Sequence, residues 1–281
     1  MKLGIIGLGL IGGSLGLALR SRSHYVIGIS RHEETCALAI QKGIVDEASV
    51  DFSVLSTASV IFICTPIGAI IPTVEQLKPI LSPDTILTDV GSVKAPIVEA
   101  ITPLWSNFIG GHPMAGTAQQ GIEAAQLDLF TGTKYVLTPT ENTPIEAQKT
   151  LTAIVQDLDT ELITCSPETH DQAVAWISHL PVFVSSSLIA SCVQETDREV
   201  VTLAQKLASS GFRDTSRVGG GNPELGVMMA KYNQKAVLRS LRIYRQQLDT
   251  MIHAIEEEDW EQVEMMLEET KEARSLFTTK K

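Results

Sequence analysis

The chain is short of positive charge: 22 lysines and arginines stand against 33 aspartates and glutamates, a formal net charge of −11 over 281 residues. Nucleic acid and anionic membranes attract basic faces, so neither is expected as a partner. Any anion must be held by locally placed cations. Cysteine is scarce and scattered. Cys36, Cys64, Cys165 and Cys192 form no CxxC pair and no Cys/His ligand spacing, so no metal site or disulfide framework is expected, and a reducing cytoplasm fits best. No leader is expected ahead of the first strand, which begins at residue 2. Gln172 to Gln194 lacks Asp, Glu, Lys and Arg but carries His179, Pro181 and five serines, so it is read as a buried helix and not as a membrane span.

With 44% hydrophobic residues the chain can bury real cores, and its length implies two domains. The most informative stretch is the first sixteen residues. Lys2 to Ile6 is a short apolar run, followed by Gly7-Leu8-Gly9-Leu10-Ile11-Gly12 and then Ser14, Leu15, Leu17, Ala18 and Leu19 at helical spacing. Strand, glycine turn and helix in this order form a dinucleotide fingerprint. Gly7 permits the tight turn, Gly9 lets a pyrophosphate approach the backbone, and Gly12 lets the helix pack close. The alternative is a purely structural turn.

Tyr25 to Ile29 is the next strand, ending in Ser30-Arg31-His32, where an NAD-binding fold normally places an acidic residue. A carboxylate would repel the 2′-phosphate of NADP, whereas a serine hydroxyl and a guanidinium can bind it. NADP is therefore favoured over NAD, unless Arg31 is only a solvated surface residue. Val60 to Cys64 is a continuous apolar run ending in Thr65-Pro66, as expected for a parallel strand covered on both faces. Thr85 to Val90 is another strand, and Phe108-Ile109 opens a shorter one that is predicted to break at Gly110. Tyr135 to Thr138 and Glu161 to Thr164 complete the strands. In an open α/β sheet ligands gather at the carboxyl ends of strands, so the glycine turn, Ser30-Arg31, Cys64-Thr65-Pro66, Ser92 and His112 are expected to share one crevice.

From about Ser166 the pattern is helical only. Asn222-Pro223-Glu224 is a good helix start, and Leu241, Leu248 and Ile255 recur every seven residues behind it. One helix from Pro223 to about Glu258, roughly 50 Å long at 1.5 Å per residue, is predicted, packing partly on a second subunit. The domains are read as residues 1–165, which bind the dinucleotide, and residues 166–281, which are helical.

Among residues that could carry chemistry, His112 is the sharpest candidate: flanked by Gly111 and Pro113 in a predicted loop, it either accepts a hydroxyl proton during hydride transfer or merely caps a turn. Ser92 either bonds that histidine or the substrate, or caps a helix. Asp89 reads as structural. His179 reads as a core histidine satisfied by a backbone carbonyl that Pro181 frees, and His170-Asp171 as a helix-start pair. Arg213, Asp214 and Arg217, in a polar, glycine-rich segment, form either a carboxylate clamp or a surface ion pair.

The glycine turn, Asp89-Val90-Gly91-Ser92-Val93-Lys94, Gly110 to Gly116, Ile177 to Pro181 and Phe212 to Arg217 together resemble the prephenate/arogenate dehydrogenases of tyrosine biosynthesis, in order and over nearly the whole chain. The resemblance implies an α/β Rossmann-type dinucleotide-binding domain followed by an all-α helical dimerisation domain. It implies oxidative decarboxylation of arogenate to tyrosine with hydride transfer to NADP. Prephenate, giving 4-hydroxyphenylpyruvate, is the alternative substrate. It also implies that His112 is the base for the ring C4 hydroxyl with Ser92 beside it, that Arg217 binds a substrate carboxylate, that Asp214 orders the arginine segment, and that His179 lines the pocket. Val182 stands where some relatives place a second histidine. No fused mutase or effector domain is expected, and hence weak or no feedback by tyrosine. Rival readings are a β-hydroxyacid dehydrogenase, which would use a lysine base on its long helix, and a non-catalytic NADP-sensing module.

Overall fold

The computed structural model describes residues 1–117 and 119–278. Eight strands form one sheet: β1 (Lys2–Ile6), β2 (Tyr25–Ile29), β3 (Glu47–Ser49), β4 (Val60–Ile63), β5 (Ile86–Asp89), β6 (Phe108–Pro113), β7 (Lys134–Thr138) and β8 (Glu161–Thr164), in the order β3-β2-β1-β4-β5-β6-β7-β8. Strands β3 through β6 pair in parallel; β7 runs antiparallel to β6, and β8 lies parallel to β7. The first six strands have the doubly wound order whose switch point lies between β1 and β4.

The strands are parallel because both faces are covered. Along β4, Val60 and Phe62 join one apolar cluster while Ile61 and Ile63 join the other, and all four are buried. Helices α1 (Leu10–Ser21), α2 (Glu33–Gln41), α3 (Ile67–Leu77), α4 (Ala95–Ile101) and α5 (Ile145–Gln156) accompany the sheet. Beyond it come α6 (Pro167–Val174), α7 (Leu180–Val193), α8 (Arg198–Leu207), α9 (Ser210–Ser216), α10 (Pro223–Tyr232), α11 (Gln234–Glu256) and α12 (Trp260–Phe277). By packing, the chain divides into two compact units, Met1–Gln234 and Lys235–Lys281. In the second unit the chain turns at Glu258 (φ 56°), and Asp259 caps α12 by accepting from the Gln262 N–H at 3.0 Å.

Two predicted boundaries differ from the structure. β6 does not break at Gly110 but runs on to Pro113, pairing Gly110–Pro113 with β7. The paired glycines serve close packing and not a turn: a Cβ on Gly111 would lie 2.6 Å from the Asp89 carbonyl oxygen, and one on Gly110 would lie 2.5 Å from Thr138 Oγ1. His112 therefore stands on a strand, not in a loop. The single helix predicted from Pro223 to Glu258 is two, α10 and α11, because Asn233 (φ −115°, ψ 34°) leaves helical geometry and turns its buried side chain inward. The Asn233 Nδ2 donates to the Asp171 carbonyl at 2.7 Å, a bond that offsets the helical one lost.

The stretch Gln172 to Gln194 is helical but is not buried within one chain. Only Val174, Ala175, His179 and Ser185 are buried there, while Trp176, Ile177 and Val193 are exposed. Poverty in charge marks a surface that leaves water, and it does not say whether the same chain or another one covers it. By length and composition Pro167–Val193 would also cross a bilayer. Yet it carries His170, Asp171 and His179, all buried and hydrogen-bonded.

Candidate active site

The register of the sheet brings the predicted cofactor residues together. Ile6 pairs with Ile29 on one side and Ile63 on the other, and Ile63 pairs with Asp89. The residues that follow, Gly7, Ser30, Cys64-Thr65 and Val90-Gly91, thus emerge along one edge about 4.8 Å apart per strand. Gly7 has φ 97°, and its Cβ would lie 2.7 Å from the Cys64 carbonyl oxygen. A Cβ on Gly12 would lie 2.0 Å from the Gly7 carbonyl oxygen. Those two glycines are needed by the fold itself. Gly9 differs: a Cβ there would meet nothing within 4 Å, so its bareness serves something outside the chain.

Gly9 caps α1, with no side chain on its free N–H groups and no acidic residue in the first turn. Leu10 and Ile11 begin that helix, while Leu8 is buried near Gly28. An uncapped helix start is suited to phosphate. Across the switch point, the buried Thr65 Oγ1 has no hydrogen-bond partner among the described residues, and Pro66 opens α3. Burial pushes the Cys64 thiol up, so it is no nucleophile. Ser30 Oγ accepts from the His32 N–H at 3.3 Å, and Arg31 is exposed. These residues fit a dinucleotide.

Beside this edge lies a buried polar cluster. The fully buried Lys94 ammonium donates to the Asp89 carboxylate and, at 2.7 Å, to the Gly111 carbonyl. Asp89 also accepts from the Gly91 N–H at 2.8 Å and the Gly111 N–H at 3.2 Å. Burial lowers the Lys94 pKa, and Asp89 and Asp171 oppose that shift. Asp89 is structural, as expected: with Lys94 it pins β6 one residue before His112.

His112 is half-buried. Its Nδ1 lies 2.9 Å from His170 Nε2, and His170 Nδ1 lies 2.8 Å from Asp171 Oδ1. Asp171 further accepts from the Lys94 N–H at 2.7 Å and the Ala95 N–H at 2.8 Å. Burial, together with His170, Lys94 and His179 nearby, holds the His112 pKa well below the usual imidazole range. Of the roles expected for Ser92, a bond to the histidine is not formed: among the described residues no hydrogen bond runs from Ser92 to His112 or His170, and a contact with the substrate stays as the other reading.

His179 also differs from expectation. It ends a π turn, Ala175–His179, between α6 and α7, and is fully buried. Its partner is not a backbone carbonyl but the Asn233 Nδ2, 3.2 Å from its Nδ1. The Asp171 carbonyl fixes which end of the Asn233 amide is the donor, so His179 Nδ1 accepts and Nε2 carries the proton. That N–H is buried without a partner among the described residues, a donor left for a ligand acceptor. Burial lowers its pKa to about 4, so the ring is neutral at physiological pH.

The arginine segment is not a loop. Arg213 and Asp214 lie on α9, and Arg217 opens a 3-10 turn, Arg217–Gly220. All three are exposed, with Arg213 and Asp214 paired at 3.5 Å. Ser185 of α7 clasps the segment: its Oγ donates to the Thr215 carbonyl at 2.8 Å and accepts from the Gly219 N–H at 2.9 Å. A Cβ on Gly219 would lie 2.4 Å from the Ser186 nitrogen. Arg217 thus sits between two points tied to the helix that follows His179. Sequence reasoning missed His170, Asp171 and Asn233 as site residues. The available signal is the tandem His170-Asp171 at the edge of a charge-poor stretch, a pairing that also suits a helix start. Ser166 caps α6 instead.

Sheet order, glycine turn and the unpartnered Thr65 hydroxyl together define a dinucleotide-binding protein with a helical region appended. Residues 15–164 match the family model "Prephenate dehydrogenase, nucleotide-binding domain" and residues 166–269 the model "Prephenate dehydrogenase, dimerization domain". The chain belongs to the prephenate dehydrogenase family, whose members are oxidoreductases. It is similar to the arogenate dehydrogenase of Synechocystis, at 55% identity and TM-score 0.92, over 99% of this chain and 100% of that one. It is also similar to the prephenate dehydrogenase of A. aeolicus in complex with hydroxyphenyl propionate and NAD+, at 27% identity and TM-score 0.92, over 99% and 98% of the two chains. The prephenate dehydrogenase of Bacillus subtilis is 30% identical over 92% of this chain and 71% of that protein.

Proposed function

We propose that the chain catalyses the NADP-dependent oxidative decarboxylation of arogenate to tyrosine. The observation that carries the reaction is the neutral His112 imidazole, held on β6 next to the carboxyl edge of β5 with Nδ1 occupied and Nε2 without a partner among the described residues. The 55% identity to the Synechocystis arogenate dehydrogenase supports arogenate over prephenate. Ser30 and Arg31, where an NAD enzyme would place a carboxylate, support NADP.

The cofactor, when bound, accepts a hydride from the ring carbon that bears the hydroxyl. Gly7, Gly9, Gly12 and the start of α1 would hold its pyrophosphate, Thr65 would line the cleft beside it, and Ser30, Arg31 and His32 would receive the 2′-phosphate. His112 takes the hydroxyl proton as the C4–H bond breaks. The C1 carboxylate then leaves as CO2, its bonding electrons pass into the ring, and the proton returns to the phenol oxygen. Aromatisation drives the step, so the protein mainly has to orient the ring and place the base. Arg217 would bind a substrate carboxylate, with Arg213 and Asp214 supporting its segment, and Ser92 would touch the substrate. The His179 Nε2–H would meet an acceptor on it. The exposed apolar faces of the helical part would meet in a cytoplasmic homodimer.

Comparing NADPH and NADH formation with arogenate and with prephenate tests the reading, and turnover of neither substrate would end it. His112→Asn is expected to lower kcat by ~10²–10⁴ while leaving NADP binding unchanged.

A further inference from the structure

We infer that His170 is a positioning residue which, backed by Asp171, fixes the tautomer of His112 so that its Nε2 is the proton-accepting atom. This inference rests on the reading of His112 as the base.

The argument is one of donors and acceptors along a chain of three side chains. The two oxygens of Asp171 accept backbone N–H groups, from Lys94 at Oδ1 and Ala95 at Oδ2. They face His170 as acceptors, so His170 Nδ1, 2.8 Å from Oδ1, is the donor. A neutral imidazole with its proton on Nδ1 presents a bare lone pair at Nε2. That nitrogen lies 2.9 Å from His112 Nδ1. Two lone pairs cannot face each other at that distance, so the His112 proton sits on Nδ1 and its lone pair on Nε2. The polarity of the chain begins at two backbone N–H groups and ends at the atom that must be basic.

The arrangement also serves the charged intermediate. Once the substrate proton reaches His112 Nε2, both ring nitrogens carry hydrogen, and the Nδ1–H still has an acceptor in His170. No flip of either ring is needed. Fixing a catalytic imidazole in one tautomer through a carboxylate is a known requirement of hydrolase triads, and a second imidazole transmits the same constraint here.

Variants at position 170 separate this role from packing. Glutamine can copy the polarity, with its amide NH2 toward Asp171 and its oxygen toward His112; phenylalanine supplies volume without an acceptor. His170→Phe is expected to lower kcat about ten- to a hundredfold with unchanged KM for NADP, and His170→Gln to recover most of the loss. Nitrogen-15 NMR of the His112 ring in the full-length protein reads the tautomer directly. The expected result is Nδ1–H in the wild type and in His170→Gln, and a mixture or Nε2–H in His170→Phe, with kcat following the tautomer. An unchanged His112 tautomer in His170→Phe, or activity lost without any change of tautomer, would overturn the inference. His112→Asn retaining full turnover would instead remove the base, whatever the NMR shows.

Discussion

The sheet and helices α8 to α10 are built from the same amino-acid alphabet but satisfy it differently. Every residue of β4 is buried, and two apolar clusters close over the two faces of the sheet. None of α8, α9 or α10 contains a buried residue, and Val200, Leu203, Leu207, Leu225 and Val227 lie exposed on them. The first region completes its core within one chain; the second presents a surface that a monomer would not keep. Residues 166–269 match a family model described as a dimerization domain, and the homodimer proposed above would cover that surface. On that proposal, folding stability and assembly are written in different parts of the molecule and are separable by mutation.

The sharpest way to break this contrast is to empty the sheet. Phe62 is fully buried, at 0% accessibility in the central strand. Phe62→Ala is expected to cost about 3–5 kcal/mol of unfolding free energy, measured by urea denaturation at fixed protein concentration. A loss below 1 kcal/mol would mean that the sheet is not the stable half.

Acid should act on the polar cluster next. His112 and His179 both have pKa values lowered from 6.5, His179 to about 4. The unfolded chain therefore binds protons that the folded chain refuses. Stability on their account is complete above about pH 6.5, and for His179 is lost progressively from there to about pH 4, by up to a few kcal/mol. Urea midpoints taken between pH 4 and pH 8 check the sign, and a midpoint that rises on acidification would contradict the burial of these rings.

How much of this was legible beforehand differs between the same two regions. The strands announce themselves because a doubly covered parallel strand needs an unbroken apolar run, and Val60 to Cys64 has one. The glycine turn was legible for a related reason: backbone contacts as close as those of Gly7 and Gly12 admit no side chain. The break at Asn233 is hidden in the sequence, since the helix start at Asn222 and the heptad Leu241, Leu248 and Ile255 lie on either side of it and the cause is a hydrogen bond to Asp171, 62 residues away. His112 was found from its flanking residues, although the reason for them was misread: Gly110 and Gly111 serve β6 and its neighbours, not a turn. His170 escaped because its meeting with His112 joins α6 to β6 across 58 residues of sequence, and no spacing within one segment encodes such a meeting.

The exposed helical faces offer a subtler test. Val193 and Leu207 are 75% and 69% accessible, so replacing both with serine removes little that the single chain buries. The unfolding free energy of the isolated chain is expected to change by less than about 1 kcal/mol, while sedimentation should show dissociation at concentrations where the unmodified protein is associated. Equal association in both proteins would move the contact surface elsewhere.

The smallest effect is expected at Arg213. Its pairing with Asp214 spans 3.5 Å between two side chains that are each 74% exposed, a geometry in which water screens most of the attraction and two long side chains lose rotamer freedom to keep it. Arg213→Ala should shift unfolding by less than about 0.5 kcal/mol, and the value of the experiment lies in what else moves. If the pair only decorates α9, kinetics will be as quiet as stability. If it supports the segment that Ser185 clasps, KM for the substrate will rise without any change in the urea midpoint, because the segment's fold is held by Thr215 and Gly219 while only its outer face, with Arg217, meets a ligand.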